Sequence, residues 1–258
     1  MDLFGISEIA VIPVRIEPSE KCEMVTQVLF GEIFKIINEK NNWSQVELLN
    51  DGYIGWIDSK TITLLTDDFS KEMQKQPSET TKNLFTEIIK SETNESLIIP
   101  FGSSLPCFNN KTGNFNINTT NYKLNNYTKN EDLAAHEYAK YWINAPYLWG
   151  GKNPFGVDCS GFVQLVYKVV GIMLPRDSAK QAALGTTIEF LDEILPGDLV
   201  YFDNEEGNII HTGILLSKNK IIHASGKVRI DSIDHQGLYN KELKKYTHKL
   251  RIIKRVKS

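Results

Sequence analysis

The sequence predicts an α+β protein, in which small all-β units precede helices packed on an antiparallel sheet. Three observations carry this. Short apolar runs separated by glycine and asparagine turns fill residues 8–65, an apolar period close to 3.6 runs from residue 159 to 170, and five strand-like runs follow residue 197. At 258 residues with 41% hydrophobic content, the chain can bury one large core or two to three small ones.

The first element is the run EIAVIPVRI, QVLFGEIFKII, WSQVELL, YIGWID and TITLL, broken by FGE, NEKNN and NDG, which predicts a small barrel over residues 1–66. Within it, GEIFKII, NNWSQVEL and DGYIGWI resemble a bacterial SH3-like domain, carried by Gly31, Trp43, Gly52, Tyr53, Gly55 and Trp56. Residues 67–128 then read as a helical linker and a second, degenerate SH3-like unit. The linker helix is expected at TKNLFTEIIK, where Leu84, Phe85, Ile88 and Ile89 share a helical face. The stretch SLIIPFGSSLPCFNNKTGNFNINTTNYKL returns to short strands, LIIPFGSSLP resembling the entrance to another SH3-like unit, and Asn-rich residues 121–131 read as a linker. Asn130 is the expected N-cap of a helix in DLAAHEYAKYWI, which opens the last region, residues 129–258.

There the glycines and prolines of PYLWGGKNPFGV predict a loop, CSGFVQLVYKVV a helix closed by Gly171, and SAKQAALG a shorter helix. DLVYF, IIHTGILL, KIIHAS, VRIDSI and HKLRIIKRV predict the antiparallel sheet.

Composition narrows the function. Net charge is −3, with 29 basic and 32 acidic residues interspersed, which argues against nucleic acid or an anionic membrane as partner. No apolar run approaches the roughly 18 residues of a membrane span, and no basic start precedes an apolar leader. The expectation is a cytoplasmic protein, or one of the periplasm or envelope if a signal was trimmed. Cys22, Cys107 and Cys159 are too scattered for a disulfide framework. His136, His211, His223, His235 and His248 show no zinc-type spacing, and no phosphate loop is present, so no metal or cofactor is expected.

Cys159 stands out because it opens the long helix, where unpaired N–H groups and the macrodipole favour a thiolate. A cysteine buried against the sheet at a helix start is the alternative, as it is for Cys22 and Cys107, which are read as structural. A thiol nucleophile needs a base and a group to orient that base. His211 and His223 lie on adjacent expected strands, where one imidazole could accept the thiol proton and the other fix its tautomer; either could also be a satisfied core histidine. His136, His235 and His248 are read as surface or structural.

The motifs PYLWGG, DCSGFV, LPRDSAKQ, PGDLVYF, HTGIL and IHASG, in this order and spacing, resemble the NlpC-type papain-like cysteine peptidases, which cut peptidoglycan stem peptides. The resemblance implies a papain-like catalytic domain with Cys159 as nucleophile, His211 as general base and acid, His223 as the orienting residue, and Tyr147 as an oxyanion donor with the Cys159 N–H. Trp149 is assigned to the pocket wall or to packing. Asp158, Ser160, Arg176, Asp177 and Ser178 are the remaining polar candidates for substrate binding, and caps are the simpler reading of Asp158 and Ser178. The whole chain resembles a subgroup that trims released murein peptides. That likeness implies a γ-D-glutamyl-diamino acid endopeptidase acting on L-Ala-γ-D-Glu-diamino acid peptides. Asp177 would then meet the free amine of L-Ala, with Tyr53 and Glu23 of the first SH3-like domain as further binding residues. No obligate protein partner is indicated. The rival readings are an inactive peptidoglycan-binding adaptor and a thiol acyltransferase on the same fold.

Overall fold

Alternating burial along the N-terminal runs builds a sheet with one apolar face. The computed structural model describes residues 2–73, 78–128 and 132–256, and the chain divides into two compact units, Met1–Glu131 and Asp132–Ser258. In the first, β1 (Leu3–Ile6), β2 (Val11–Arg15), β3 (Met24–Leu29), β4 (Ile33–Lys40), β5 (Trp43–Leu48), β6 (Ile54–Asp58) and β7 (Thr63–Leu64) form an antiparallel sheet in the order β3-β2-β6-β5-β4-β1-β7. The period of two is plain in β5, where Ser44, Val46 and Leu48 are buried and their neighbours are not. Ile12, Val14, Val28, Phe34, Val46, Leu48 and Ile57 make the core, with Tyr53 packed on its edge.

After helix α1 (Asp67–Met73) come β8 (Glu79–Thr80), β9 (Phe85–Lys90), β10 (Ser96–Pro100), β11 (Ser104–Leu105), β12 (Asn114–Ile117) and β13 (Thr120–Leu124). β10, β9, β13 and β12 make a four-stranded sheet, and β8 pairs with β11. Four short strands cannot enclose a core of their own, so this sheet borrows one: Ile88, Ile99, Leu105, Phe115, Ile117 and Tyr122 pack with Ile6 and Phe30 of the first sheet. Gly31 permits the approach, because its φ is +72° and a Cβ there would sit 1.9 Å from the Ser104 carbonyl oxygen.

One expectation fails in this region. The helix expected at TKNLFTEIIK is strand β9, paired with β10 on one side and β13 on the other. Its apolar positions fit either period, and pairing on both edges, with β-branched Thr86, Ile88 and Ile89, decides for the strand. Residues 121–124, which the sequence reading placed both at the end of the short strands and at the start of the linker, belong to the strand β13. Asn130 lies outside the described residues.

The second unit opens with α2 (Ala135–Lys140), shorter than expected and begun at Ala134 without a side-chain cap. β14 (Lys152–Asn153) and β15 (Gly156–Val157) form a small ladder ahead of α3 (Cys159–Val169), and α4 (Ser178–Gln181) and β16 (Thr186–Thr187) follow. α3 is buried along its whole length, and Gly171, at φ +83°, ends the turn after it. The sheet is β17 (Leu199–Asp203), β18 (Ile209–Ser217), β19 (Lys220–Ser225), β20 (Lys227–Ile233), β21 (Gly237–Asn240) and β22 (Lys245–Arg255). The expected antiparallel sheet is present, and it is closed. β22 pairs with β17 along one edge and with β21 along the other, which closes a six-stranded barrel. Val200, Phe202, Leu215, Ile221, Ile233, Leu238 and Ile253 fill it. Among the described residues no helix is long and apolar enough to cross a membrane.

Candidate active site

The site is built where the start of α3 meets β18. Asp158 caps α3 by accepting from the Gly161 N–H at 2.7 Å and also accepts from the Gly150 N–H at 2.9 Å. Arg176 donates to both oxygens of the same carboxylate, with Nη1 at 2.9 Å from Oδ1, and donates to Ser160 Oγ at 2.7 Å. Asp158 and Arg176 are both buried, so the pair stands only because these donors satisfy the carboxylate. The glycines let the loop reach the helix: a Cβ on Gly161 would lie 2.5 Å from the Gly151 carbonyl oxygen, and one on Gly151 2.3 Å from that of Gly156. Two remaining candidates are thereby given structural duties, Asp158 as cap and ion-pair partner, Ser160 as acceptor for Arg176.

Cys159 is buried at the first position of α3, and the N–H groups of Ser160 and Thr212 point to its sulfur. The helix start was expected to lower the thiol pKa; the balance goes the other way. Burial first, then the Asp158 carboxylate, push the thiol up to about 11, against the opposing effects of the two N–H groups and Arg176.

The imidazoles come from the barrel wall. In the β18–β19 ladder Gly213 stands opposite His223, so His211, two residues before Gly213, reaches His223 along the diagonal. His211 Nε2 lies 2.9 Å from His223 Nδ1, with the rings at 88°. His223 Nε2 lies 3.1 Å from Asp231 Oδ2 on β20. Gly213 makes room for this line, since a Cβ there would meet the His223 Cβ at 2.8 Å. Burial, then the neighbouring His223 and His248, hold His211 well below the usual histidine range, and burial lowers His223 despite its hydrogen bond to Asp231. Burial thus pushes both the Cys159 thiol and the His211 imidazole toward their neutral forms.

Tyr147 is fixed by its backbone, which donates to the Gly226 carbonyl at 3.0 Å and bridges to Val157. Burial, then the charges of Cys159 and Asp158, raise its phenol to about 12, which keeps the O–H as a donor at neutral pH.

The other candidates lie further out. Gln181 of α4 donates to the Ser160 and Pro175 carbonyls, tying α4 to the first turn of α3. Asp177 precedes α4, makes no cap bond, and pairs with Lys180 at 3.2 Å with its side chain 44% exposed. Ser178 is half-buried beside it, and Trp149 is 62% exposed. Tyr53 and Glu23 belong to the first unit, Tyr53 half-buried on the core of the first sheet and Glu23 exposed ahead of β3.

Three residues escaped the sequence reading. Asp231 and its partner Arg229 extend the histidine line, and the expected surface or structural His248 stacks on His211, with centroids 4.3 Å apart. The one sequence signal was an aspartate in the otherwise alternating strand KVRIDSI.

Comparison with known proteins points to a family for this region. Residues 144–248 match the NlpC/P60 family, and residues 14–62 match the bacterial dipeptidyl-peptidase SH3 domain. The gamma-D-glutamyl-L-lysine dipeptidyl-peptidase of Bacillus cereus (strain ATCC 10987 / NRS 248) is 26% identical, over 78% of this chain and 67% of the relative. That of Bacillus subtilis (strain 168) is 28% identical, over 84% and 78%. The crystal structure of an NlpC/P60 family protein from Bacillus cereus ATCC 10987 shares the fold, with a TM-score of 0.80 at 20% identity over 98% of this chain and 99% of that one. The cysteine at the start of a capped helix and the histidine pair on the β-barrel thus fall within residues 144–248, which form an NlpC/P60 domain, a cysteine peptidase domain, and an SH3-like domain precedes them.

Proposed function

We propose that the protein is an endopeptidase of peptidoglycan peptides that hydrolyses the bond between γ-D-glutamate and a diamino acid, in peptides carrying a free N-terminal L-alanine, as in the recycling of murein fragments. The observation that carries the reading is the 2.9 Å contact between His211 and His223 beside the capped Cys159. Its support for the substrate is the similarity to two gamma-D-glutamyl-L-lysine dipeptidyl-peptidases.

In the first half-reaction the Cys159 S–H gives its proton to His211 as the sulfur bonds to the γ-carbonyl carbon. The Tyr147 O–H and the Cys159 N–H receive the developing oxyanion, each donor contributing on the order of 3 kcal/mol. His211 then gives that proton to the nitrogen of the diamino acid, the C–N bond breaks, and a thioester remains. Water, deprotonated by His211, attacks the thioester and releases the γ-carboxylate, returning the proton to sulfur.

As the resemblance to the murein-peptide subgroup implies, Asp177 is the carboxylate assigned to the ammonium of L-alanine, with Ser178 next to it in the chain and Trp149 assigned to the pocket wall, while Asp158 is paired with Arg176. An ammonium removed from water needs such a partner, so an acylated alanine would be rejected. The test is incubation with L-Ala-γ-D-Glu-diaminopimelate, its lysine counterpart, and the N-acetylated form of each. Release of the diamino acid from the free peptides alone is the expected result. Equal cleavage of the acetylated forms rejects the role of the free amine, and no cleavage of any rejects the substrate class.

A further inference from the structure

We propose that Asp231 is a positioning residue that sets the tautomers of both histidines, so that His211 presents the lone pair of Nδ1 to the Cys159 thiol. This rests on the peptidase reading above and adds a fourth member behind the histidine pair.

An ionised carboxylate can only accept, and a neutral imidazole carries one N–H. Asp231 is buried and held by Arg229, with Nη2 donating to Oδ1 at 3.0 Å and Nε 2.9 Å from Oδ2. Burial alone would raise its carboxyl, yet the contacts with His223 and Arg229 keep it below the ordinary aspartate range. Asp231 Oδ2 must therefore receive the Nε2–H of His223 across 3.1 Å. That leaves His223 Nδ1 as an acceptor. Its partner at 2.9 Å, His211 Nε2, must then be the donor. With its single proton on Nε2, His211 keeps Nδ1 unprotonated, and that nitrogen takes the thiol proton. When His211 becomes imidazolium, its Nε2–H still points along the line toward His223, and the anionic end at Asp231 favours the charge.

The geometry is a feature of three strands. His223 stands opposite Arg229 in the β19–β20 ladder, and Asp231 lies two residues further on the same face. Each link in the line is thus a diagonal neighbour across a ladder.

Two measurements test this. In the unmodified protein, on the alkaline side of neutrality, the ¹⁵N shifts of His211 and His223 are expected to show the proton on Nε2 in both rings. A proton on Nδ1 of either ring overturns the proposal, and this readout needs no substrate. In turnover of the murein tripeptide, Asp231→Leu is expected to lower kcat about 10- to 100-fold, with KM little changed, as for loss of an outer-shell orienting group. Arg229→Gln breaks the same ion pair but keeps the carboxylate, and is expected to cost about fivefold or less, the scale of a partly exposed ion pair. Equal losses in the two variants would mean that the ion pair, not the carboxylate, matters, and would overturn the proposal. Should Asp231→Leu fail to fold, the shifts of the unmodified protein decide. If the wild type cleaves no murein peptide but both rings carry the Nε2 proton, the substrate reading fails and the tautomer assignment stands.

Discussion

Cys159 sits between two buried polar groups that solve different problems. On the helix side Asp158, Arg176 and Ser160 form a closed charged knot, with the carboxylate taking donors from two backbone N–H groups and a guanidinium. On the barrel side His211, His223 and His248 are rings that burial holds toward the neutral form, and their line ends at one carboxylate. A charged pair away from water holds position strongly but cannot give up a proton cheaply, whereas neutral imidazoles can. In the proposed mechanism the helix side fixes the sulfur and the barrel side moves its proton.

Breaking the helix side should have the largest effect on stability. Asp158→Ala leaves the Arg176 guanidinium buried without its partner, and the expected loss is about 3–5 kcal/mol in denaturant unfolding of the second unit. A loss under about 1 kcal/mol would mean that the knot is solvated and the contrast with the barrel side is false. Gly213→Ala tests the barrel side sterically. Its Cβ would press on the His223 Cβ and the Ile222 carbonyl oxygen, and about 1–3 kcal/mol is expected, with kcat falling more than stability accounts for. Stability loss with kcat intact would show that the histidine register is not critical.

The smallest effect concerns acid. Burial, then His223, holds His248 down to about 4, whereas an unfolded histidine titrates near 6.5. The unfolded chain therefore binds more protons between these values, so stability should fall as pH drops from about 6.5 toward 4. His211 and His223, also lowered, act in the same direction. His248→Phe keeps a ring against His211 and removes one titrating group, so its thermal midpoint should fall less over that interval. An equal fall in both proteins would remove His248 from the effect.

These contrasts also explain what could be read from the chain. Cys159 was legible because a helix start is local: an apolar period with a polar cap before it. His211 and His223 were legible as residues out of place in apolar strands, but their contact depended on a register that strand patterns do not fix. Asp231 lies one strand further and was missed for that reason. Barrel closure was invisible because β22 reads as one strand whether it pairs on one edge or two. The strand β9 reads as a helix because Leu84, Phe85, Ile88 and Ile89 satisfy a helical face; only its neighbours on both sides override that pattern. The lowered thiol pKa expected from the helix start failed because burial, a tertiary property, outweighs the local dipole.

The most direct measurement is release of diaminopimelate from L-Ala-γ-D-Glu-diaminopimelate by the wild type and by Cys159→Ala, with the Cys159 peptide mass-analysed after acid quench. Release by the wild type, an L-Ala-γ-D-Glu thioester on Cys159, and no release by the variant are expected. Undiminished release by Cys159→Ala would contradict the assignment of the nucleophile.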